Sequence, residues 1–417
     1  MTIRDQLKAR LASDRDDIIL MCQELVRFRS ENPPGDTRDV LLSITDLLDR
    51  HNLDYEIVAP VTEWPNLIAS FTGARPGRHL ILNGHMDVFP AGDAALWTDD
   101  PFSGVVRDGK LFGRGVSDMK TGTLASVLTY IYLAELREHL AGRLTLTCVS
   151  DEETFGEYGA RYLVENRAEV HGDCVLNGEP STPNTIRFGE KGLIWIELSV
   201  DTKGGHGGYP HVSQNAIKIA SRIISELEAL NEISGDMPGE VEELIDAGRN
   251  AFDALLGVGA TDYLKQVTVN IGKIEGGEKV NMIAGHSRTE VDIRCPIGVS
   301  TEQILRRFEE IVRRFPEASY RVINKSEPNY VDPRHELVRI IQDNAEAARG
   351  IRPSPIISLG GTDCRVWRQQ GIPAFVYGPT PYGMGSPDEH VTIEDLLGTV
   401  NVHVLSAFDY LSTTATA

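Results

Sequence analysis

Four short segments of this chain place an acidic or histidine side chain directly after an apolar run. They are LILNGHMDVFP with His85 and Asp87, GRGVSDMK with Asp118, TLTCVSDEE with Glu152 and Glu153, and VLNGEP with Glu179. Because parallel strands deliver their last residues to the carboxyl edge of a sheet, where open α/β folds bind ligands, we expect these side chains to converge. Carboxylates and imidazoles that meet at one edge predict a metal-centred hydrolytic site.

Each segment has a simpler interpretation when it is taken alone. His85 is equally well a hydrogen-bonded histidine near a turn, and Asp118 alone is better explained as an N-cap at the start of a helix. The adjacent Glu152 and Glu153 would repel each other unless a cation or a proton separates them, although two solvated loop acids are an alternative. Asp87 shares a side of an extended segment with His85, so it can orient a metal-binding imidazole. Four such segments at strand ends together favour the metal site.

Length and charge limit the classes of protein that the chain can belong to. At 417 residues it exceeds the usual size of one hydrophobic core, so we expect two domains. A formal charge of −20 disfavours nucleic acid and anionic membrane surfaces as partners. No apolar run reaches the roughly 18 residues of a membrane helix. Residues 2–29 predict an amphipathic helix rather than a signal peptide.

The cysteines indicate the compartment. Five are present, scattered and mostly in apolar, strand-like runs: Cys22, Cys148, Cys174, Cys295 and Cys364. This pattern favours buried thiols over a disulfide framework or a cysteine metal site. We therefore expect a protein of the reducing cytoplasm.

The order of helical and strand patterns predicts the architecture. Over residues 1–190 the two alternate, which predicts an α/β fold with a mostly parallel sheet covered on both faces. Residues 191–329 instead follow the β-α-β-β-α-β order of a ferredoxin-like module, with an acidic insertion near 232–262. The alternation resumes over 330–417. We therefore expect a discontinuous catalytic domain, residues 1–190 and 330–417, that the second domain interrupts.

Ordered motifs extend along nearly the whole chain. They are GHMDVFP, GRGVSDMKTG, DEE, NGEP, GGHGGYP, DIR and GGTDCR. In this order they resemble the motifs of the M20 metallopeptidases and amidohydrolases, the group of acetylornithine deacetylase, succinyl-diaminopimelate desuccinylase, aminoacylase-1 and carboxypeptidase G2. The resemblance implies a catalytic domain with two metal ions, usually zinc, with cobalt or manganese as alternatives. It also implies a smaller inserted domain that serves as a lid and a dimer interface.

The resemblance also implies a role for each strand-end residue. His85 and Glu179 would hold one metal ion, Glu153 the other, Asp118 would bridge both, and Asp87 would orient His85. Glu152 would be the general base that takes a proton from metal-activated water and returns it to the leaving amine.

Further residues match the substrate-binding parts of the family. His206 of GGHGGYP matches a histidine that reaches the partner's site in family dimers and stabilises the tetrahedral oxyanion. Asn281 and Arg294 match lid groups that hold the substrate carboxylate, a task that suits the planar fork of arginine. Gly361 and Thr362 match the loop beside the bound substrate. From the residues alone, Arg294 is better explained as a surface ion pair, and His206 is equally part of a flexible glycine loop.

One position departs from the family pattern. The family normally completes its second metal site with a histidine four residues before the glutamate of an H-x-x-D-E motif. Here the segment is YGMGSPDEHV, and Gly385 stands four residues before Glu389. Three interpretations remain: His390 replaces the missing ligand, water completes a weaker second site, or the protein uses one metal ion. We favour the water-completed site, with Asp388 and Glu389 as alternative ligands or lid contacts.

The motifs together predict a metal-dependent hydrolase. Its substrate would be a small N-acyl amino acid or dipeptide-like molecule with a free carboxylate, and the protein would be a homodimer through the lid domain. One alternative is a catalytically lapsed dimeric protein that binds ligands through Arg294 and Asn281. Another is an enzyme for a carbamoyl or xenobiotic amide, with access altered by the insertion near 232–262.

Overall fold

The structure, a computed structural model, describes residues 1–412 of the chain. Within that range lie eleven α-helices: α1 Ile3–Ser13, α2 Arg15–Arg27, α3 Arg38–Arg50, α4 Thr121–Glu135, α5 Ala160–Asn166, α6 Ala216–Leu227, α7 Gly239–Leu256, α8 Thr301–Val312, α9 Glu336–Arg349, α10 Cys364–Gln369 and α11 Ile393–Ser412. No helix of the described range is both long enough and apolar enough to cross a bilayer. All five cysteines fall in this range as buried thiols, as expected.

The same residues form eighteen β-strands, several of them only two or three residues long. They are β1 Glu56–Val58, β2 Asn66–Thr72, β3 Arg75–His85, β4 Val106–Arg107, β5 Lys110–Phe112, β6 Ala141–Val149, β7 Cys174–Asn177, β8 Thr185–Glu190, β9 Gly192–Asp201, β10 Gly205–His206, β11 Thr268–Gly276, β12 Met282–Ile283, β13 His286–Cys295, β14 Ala318–Ser326, β15 Asn329–Tyr330, β16 Ser354–Ser358, β17 Ala374–Val376 and β18 His390–Thr392.

The helix expected over residues 2–29 is two helices. Asp14 ends α1 and precedes α2 with a ψ of 7°, which is outside the helical range. Its carboxylate accepts a hydrogen bond from Tyr132 Oη at 2.8 Å and one from Arg10 Nε at 3.4 Å. Aspartate is a poor residue for a helix interior, so these contacts favour a break at this position.

The chain divides into two compact units. Unit 1 comprises residues 1–188, 331–356 and the described chain from 362 onward, and unit 2 comprises 189–330 and 357–361. The two boundaries of unit 2, at 188/189 and 330/331, lie within two residues of the domain boundaries expected from the sequence. The short segment 357–361 was not expected in the second domain.

The large sheet of unit 1 has the strand order β1-β2-β6-β3-β7-β17-β8. The pairs β6–β3, β3–β7 and β7–β17 are parallel, whereas β1–β2, β2–β6 and β17–β8 are antiparallel. The sheet is therefore mixed, and the expectation of a mostly parallel sheet is correct only for its centre. The connection between β1 and β2 is shorter than the dozen or so residues that a parallel crossover needs, so these edge strands pair antiparallel.

Helices cover both faces of the central strands. On one face α4 packs on α11 and on β3, and the side chains of α4 are buried on every side from Thr121 to Ala134. On the other face α5 and α10 pack on Ile81, Val175 and Val376 around the fully buried Trp367. Strands enclosed in this way are mostly apolar along their central residues.

Unit 2 contains the succession β9-α6-β11-β13-α8-β14. Its four long strands form an antiparallel sheet in the order β11-β13-β9-β14. Apolar side chains of α6 and α8 pack on one face of this sheet, with Ile219, Ile223, Ile304 and Phe308 among the most buried. The acidic segment near 232–262 contains helix α7.

Candidate metal centre

Three neighbouring parallel strands of unit 1 end at the same level. In the register of the sheet His85 at the end of β3 pairs with Val149 at the end of β6. Asn83 of β3 pairs with Asn177, the last residue of β7. The residues that follow β6 and β7, which include Glu152 and Glu179, are therefore delivered to the position of His85. The convergence expected from the sequence follows directly from this register.

A row of buried polar side chains crosses the three strands at the level of Asn83, two residues before His85. Asn83 Nδ2 donates to Thr147 Oγ1 at 3.2 Å, and Asn177 Nδ2 donates to Asn83 Oδ1 at 2.7 Å. Asn177 Oδ1 accepts the backbone N–H of Glu179 at 2.7 Å. This row links β6, β3 and β7 and fixes the turn that carries Glu179. The two asparagines inside apolar runs were the signal for it in the sequence.

The strand-end side chains form two overlapping groups of possible metal ligands. Ligand atoms of His85, Glu152 and Glu179 lie within 4.8 Å of one another, and so do those of His85, Asp118 and Glu153. Nε2 of His85 is 3.2 Å from Asp118 Oδ1 and 3.2 Å from Glu179 Oε1. Its Nδ1 is 2.8 Å from the backbone carbonyl of Asp87 and 3.5 Å from the Asp87 carboxylate. The nearer acceptor, which orients the ring, is thus the carbonyl of Asp87.

The carboxylate of Asp87 instead holds the turn that follows β6. It accepts the backbone N–H groups of Glu152 at 3.2 Å and Glu153 at 3.0 Å, and the side-chain amide of Asn32 at 2.9 Å. Burial alone would raise the pKa of Asp87, but its contacts with His85 and Asn32 outweigh burial and lower this pKa. Asp87 therefore fixes the turn Glu152–Thr154, a role that the sequence did not reveal.

Asp118 is not the N-cap of a helix. Helix α4 begins at Thr121 after Lys120, whereas Asp118 has a φ of −122° and a ψ of 96°. Its backbone N–H points to Glu389 Oε1 at 3.4 Å, and its side chain points to His85. The simpler interpretation of Asp118 as an ordinary cap is therefore wrong.

The donor atoms of the cluster suit a divalent cation. Burial raises the pKa values of Glu152 and Glu153 well above their usual range, and burial together with Asp118 raises the pKa of Glu179 to about 7. Oε1 of Glu153 is buried and, within the described residues, has no hydrogen-bond partner. A buried imidazole among crowded carboxylates is the ligand set that zinc takes in hydrolases, and cobalt and manganese also accept it. The residues thus fit the metal that the motifs imply.

Two further residues of the GGTDCR motif, which the sequence did not single out, lie beside the cluster. Arg365 Nη1 donates to Glu152 Oε1 at 2.8 Å, and the Arg365 side chain is 3% exposed. Asp363 is fully buried, and neither of its carboxylate oxygens has a hydrogen-bond partner in the described chain. Burial raises the pKa of Asp363 to about 6. The sequence interpretation considered only Gly361 and Thr362 of this motif; Thr362 is buried in unit 1, and Gly361 belongs to unit 2.

The C-terminal motif does not supply a ligand to either group. The His390 ring lies between Phe112 at 5.0 Å and Tyr382 at 5.1 Å, and His390 Nδ1 is 2.9 Å from the Asp388 carbonyl. The carboxylate of Asp388 accepts both the backbone N–H and the hydroxyl of Thr98. The structure therefore brings neither of these two residues to His85, and Gly385 has no side chain to offer.

The remaining predicted residues lie in unit 2. His206 in β10 is exposed, and its Nδ1 accepts the N–H of Gly208 at 3.1 Å. β10 pairs with β12, so His206 lies opposite Met282, next to the exposed Asn281. Arg294 in β13 forms an ion pair with Asp292 at 2.9 Å. The structure brings His206 and Asn281 together at the small two-stranded sheet β10–β12 and leaves Arg294 on the four-stranded sheet.

The family follows from comparison with known proteins. The model of peptidase family M20/M25/M40 matches residues 81–408. The succinyl-diaminopimelate desuccinylase of Cereibacter sphaeroides is 29% identical over 359 residues, which cover 84% of this chain and 87% of that enzyme. An M20 family metallo-carboxypeptidase from Sulfolobus solfataricus has a similar fold, with a TM-score of 0.81, 18% identity and coverage of 94% and 99% of the two chains. A di-peptidase from Saccharomyces cerevisiae gives a TM-score of 0.82, 14% identity and 99% coverage of both. The chain therefore belongs to peptidase family M20/M25/M40, and it is a metallo-amidohydrolase of that family.

Proposed function

We propose that the protein hydrolyses the amide bond of a small N-acyl amino acid or dipeptide-like substrate that carries a free carboxylate. The observation that best supports this proposal is the buried cluster around His85, with Glu152 held at its side by Arg365. The relatives are named as a desuccinylase, a carboxypeptidase and a di-peptidase, and these names agree with a hydrolase of linear amides.

The cluster would hold divalent metal ions, and zinc is the metal that we expect first. We assign His85 and Glu179 to one ion, Glu153 to a second ion, and Asp118 to both. When bound, such ions lower the pKa of water towards neutrality and polarise a carbonyl group. Because Gly385 supplies no donor atom, the second ion would have fewer protein ligands and would be held more weakly.

Glu152 is the residue that moves the proton. Its carboxylate takes a proton from the attacking water and delivers it to the nitrogen of the leaving amine. Two contacts keep it in place: its own backbone N–H donates to Asp87, and its Oε1 accepts from Arg365. Because Arg365 is positively charged, it also opposes the effect of burial and lowers the pKa of Glu152.

We assign substrate recognition to the residues that match the family outside the metal cluster. Arg294 and Asn281 would bind the substrate carboxylate, and His206 would stabilise the oxyanion in the site of a partner subunit. Gly361 and Thr362 would border the bound substrate. Unit 2 would then act as a ferredoxin-like lid and dimer interface, which sedimentation of the purified protein would test.

The experiment is a substrate panel on protein of known metal content. N-acetyl, N-succinyl and N-carbamoyl amino acids and dipeptides are each offered with a free and with an amidated carboxyl group, and elemental analysis gives metal per subunit. We expect hydrolysis of free-carboxylate amides that disappears in Glu152→Gln, while metal content is retained. If metal-loaded protein cleaves no member of the panel, or Glu152→Gln is fully active, the proposal fails.

A further inference from the structure

Glu389 is a buried carboxylate whose hydrogen bonds, among the described residues, go to the loop 113–118. It is 1% exposed, and its Oε1 accepts the hydroxyl of Ser117 at 2.8 Å and the backbone N–H of Ser117 at 3.0 Å. The N–H of Asp118 approaches the same oxygen at 3.4 Å. Oε2 accepts a hydrogen bond from Arg114 Nη1 at 2.5 Å. The backbone carbonyl of Glu389 accepts the N–H of Gly113 at 2.9 Å.

The loop needs a partner of this kind because it is not helical where Asp118 lies. With a φ of −122° and a ψ of 96° at Asp118, the N–H groups of Ser117 and Asp118 point to an acceptor outside the loop. An ionised carboxylate is the strongest acceptor that a side chain can provide for two adjacent N–H groups. Arg114, which is also 1% exposed and lies over the ring of Trp97, supplies the charge that compensates Glu389.

Glu389 does not act as a ligand itself. Oε1 accepts hydrogen bonds from Ser117 and Oε2 from Arg114, and Glu389 falls outside both groups of possible ligands in the described chain. The loop that Glu389 contacts carries Asp118, and the Asp118 carboxylate lies 3.2 Å from His85 Nε2.

We propose that Glu389 is a positioning residue that, with Arg114, sets the place of the Asp118 carboxylate in the metal centre. This inference rests on the proposed function, since it requires that the cluster binds metal. It assigns a role to the acidic end of the C-terminal motif, whose histidine position is occupied by Gly385. Glu389 therefore acts through Asp118 and not by contact with the ion or the substrate.

The test measures metal binding rather than activity alone. Cobalt(II) is titrated into metal-free full-length protein, and the dissociation constant and the visible absorption spectrum are recorded for wild type, Glu389→Gln and a control. The control is Asp395→Asn, because Asp395 pairs with Arg349 in a second buried ion pair, with side chains 6% and 7% exposed. We expect Glu389→Gln to weaken cobalt binding by about 10- to 100-fold, as for other changes to groups that support metal ligands.

The spectrum and kinetics separate positioning from stability. In Glu389→Gln the cobalt spectrum should change and kcat should fall more than KM rises, whereas Asp395→Asn should lower Tm with an unchanged cobalt spectrum. If Glu389→Gln does not fold, Ser117→Ala removes one of the contacts and should weaken cobalt binding in the same direction. If folded Glu389→Gln binds cobalt with the wild-type affinity and spectrum, this inference is wrong, but the proposed function is unaffected. Failure of wild type to bind cobalt would overturn the proposed function as well.

Discussion

Arg365 donates a hydrogen bond from Nη1 to Oε1 of Glu152 across 2.8 Å, and the two side chains are 3% and 11% exposed. Burial raises the pKa of Glu152 and Arg365 lowers it. If Glu152 is the general base, as proposed, this pair decides how much of it is ionised near neutral pH.

Replacement of Arg365 should move the pH dependence of activity. In Arg365→Met the pKa of Glu152 rises further, because the charge that opposed burial is gone. A base must be deprotonated to act, so the acid limb of kcat/KM should shift to higher pH, and Arg365→Lys should shift it less. Arg368→Met is the matched control, since Arg368 is buried but donates to the carbonyl of Ala374. An acid limb that stays in place in folded Arg365→Met would contradict the prediction.

Metal should stabilise the protein more as the pH rises. Burial and the charge of Asp118 raise the pKa of Glu179 from 4.5 to about 7, so without metal the folded state keeps a proton that the unfolded state has lost. The metal-free fold therefore loses stability as the pH rises between these two values, and metal offsets this loss by replacing the proton. We expect the Tm difference between metal-loaded and metal-free protein to increase from about pH 5 to about pH 7.5. A difference that is constant over this range would count against a protonated cluster.

A close backbone contact predicts which glycines resist substitution. A Cβ atom on Gly122 would stand 2.1 Å from the carbonyl oxygen of Gly178, and one on Gly178 would stand 2.4 Å from Cα of Gly122. Gly122→Ala must push the start of α4 away from the turn that carries Glu179, at a cost of about 1–3 kcal/mol in the free energy of unfolding. Denaturant titration would measure it. Gly239→Ala is the control, since among the described residues nothing beyond its own stretch of chain lies within 4 Å of its Cβ position. Equal stability of both variants would contradict the prediction.

Arg294 should affect substrate affinity without affecting metal content. If it binds the substrate carboxylate, Arg294→Ala raises KM by about 10-fold or more for free-carboxylate substrates, because a charge-assisted pair is lost. Amidated substrates should be affected little. Arg288→Ala is the control on the same strand, since Arg288 forms an ion pair with Glu197. An unchanged KM in Arg294→Ala would mean that the carboxylate is bound elsewhere.

The convergence of the possible metal ligands could be predicted because its signals are local. Each ligand follows an apolar run within a few residues, and the parallel register of β3, β6 and β7 brings those runs to one level. The break at Asp14 and the antiparallel edges of the large sheet were missed, because they depend on a tertiary contact with Tyr132 and on pairing between strands that are distant in the chain, β2 with β6 and β17 with β8.

The residues that support the cluster could not be predicted, because their partners are distant in the chain. Asn32 reaches Asp87 across 55 residues, Arg365 reaches Glu152 across 213, and Glu389 reaches Ser117 across 272. One sequence does not show which buried carboxylate an arginine or an amide meets. The motif match pointed to GGTDCR and to the C-terminal acids, but it did not reveal that Arg365 contacts Glu152 and that Glu389 contacts the Asp118 loop.

The strand register also determines when the protein can acquire metal. The four ligand-bearing segments lie between residues 85 and 179, and His85 meets Glu179 only after β3 has paired with β7. No short peptide of the chain contains the set, so a nascent or unfolded chain has no local site at which to capture an ion. Metal uptake must follow formation of the central strands, and the ion then adds a link between segments that the sheet and the contacts of Asp87 and His85 already hold together.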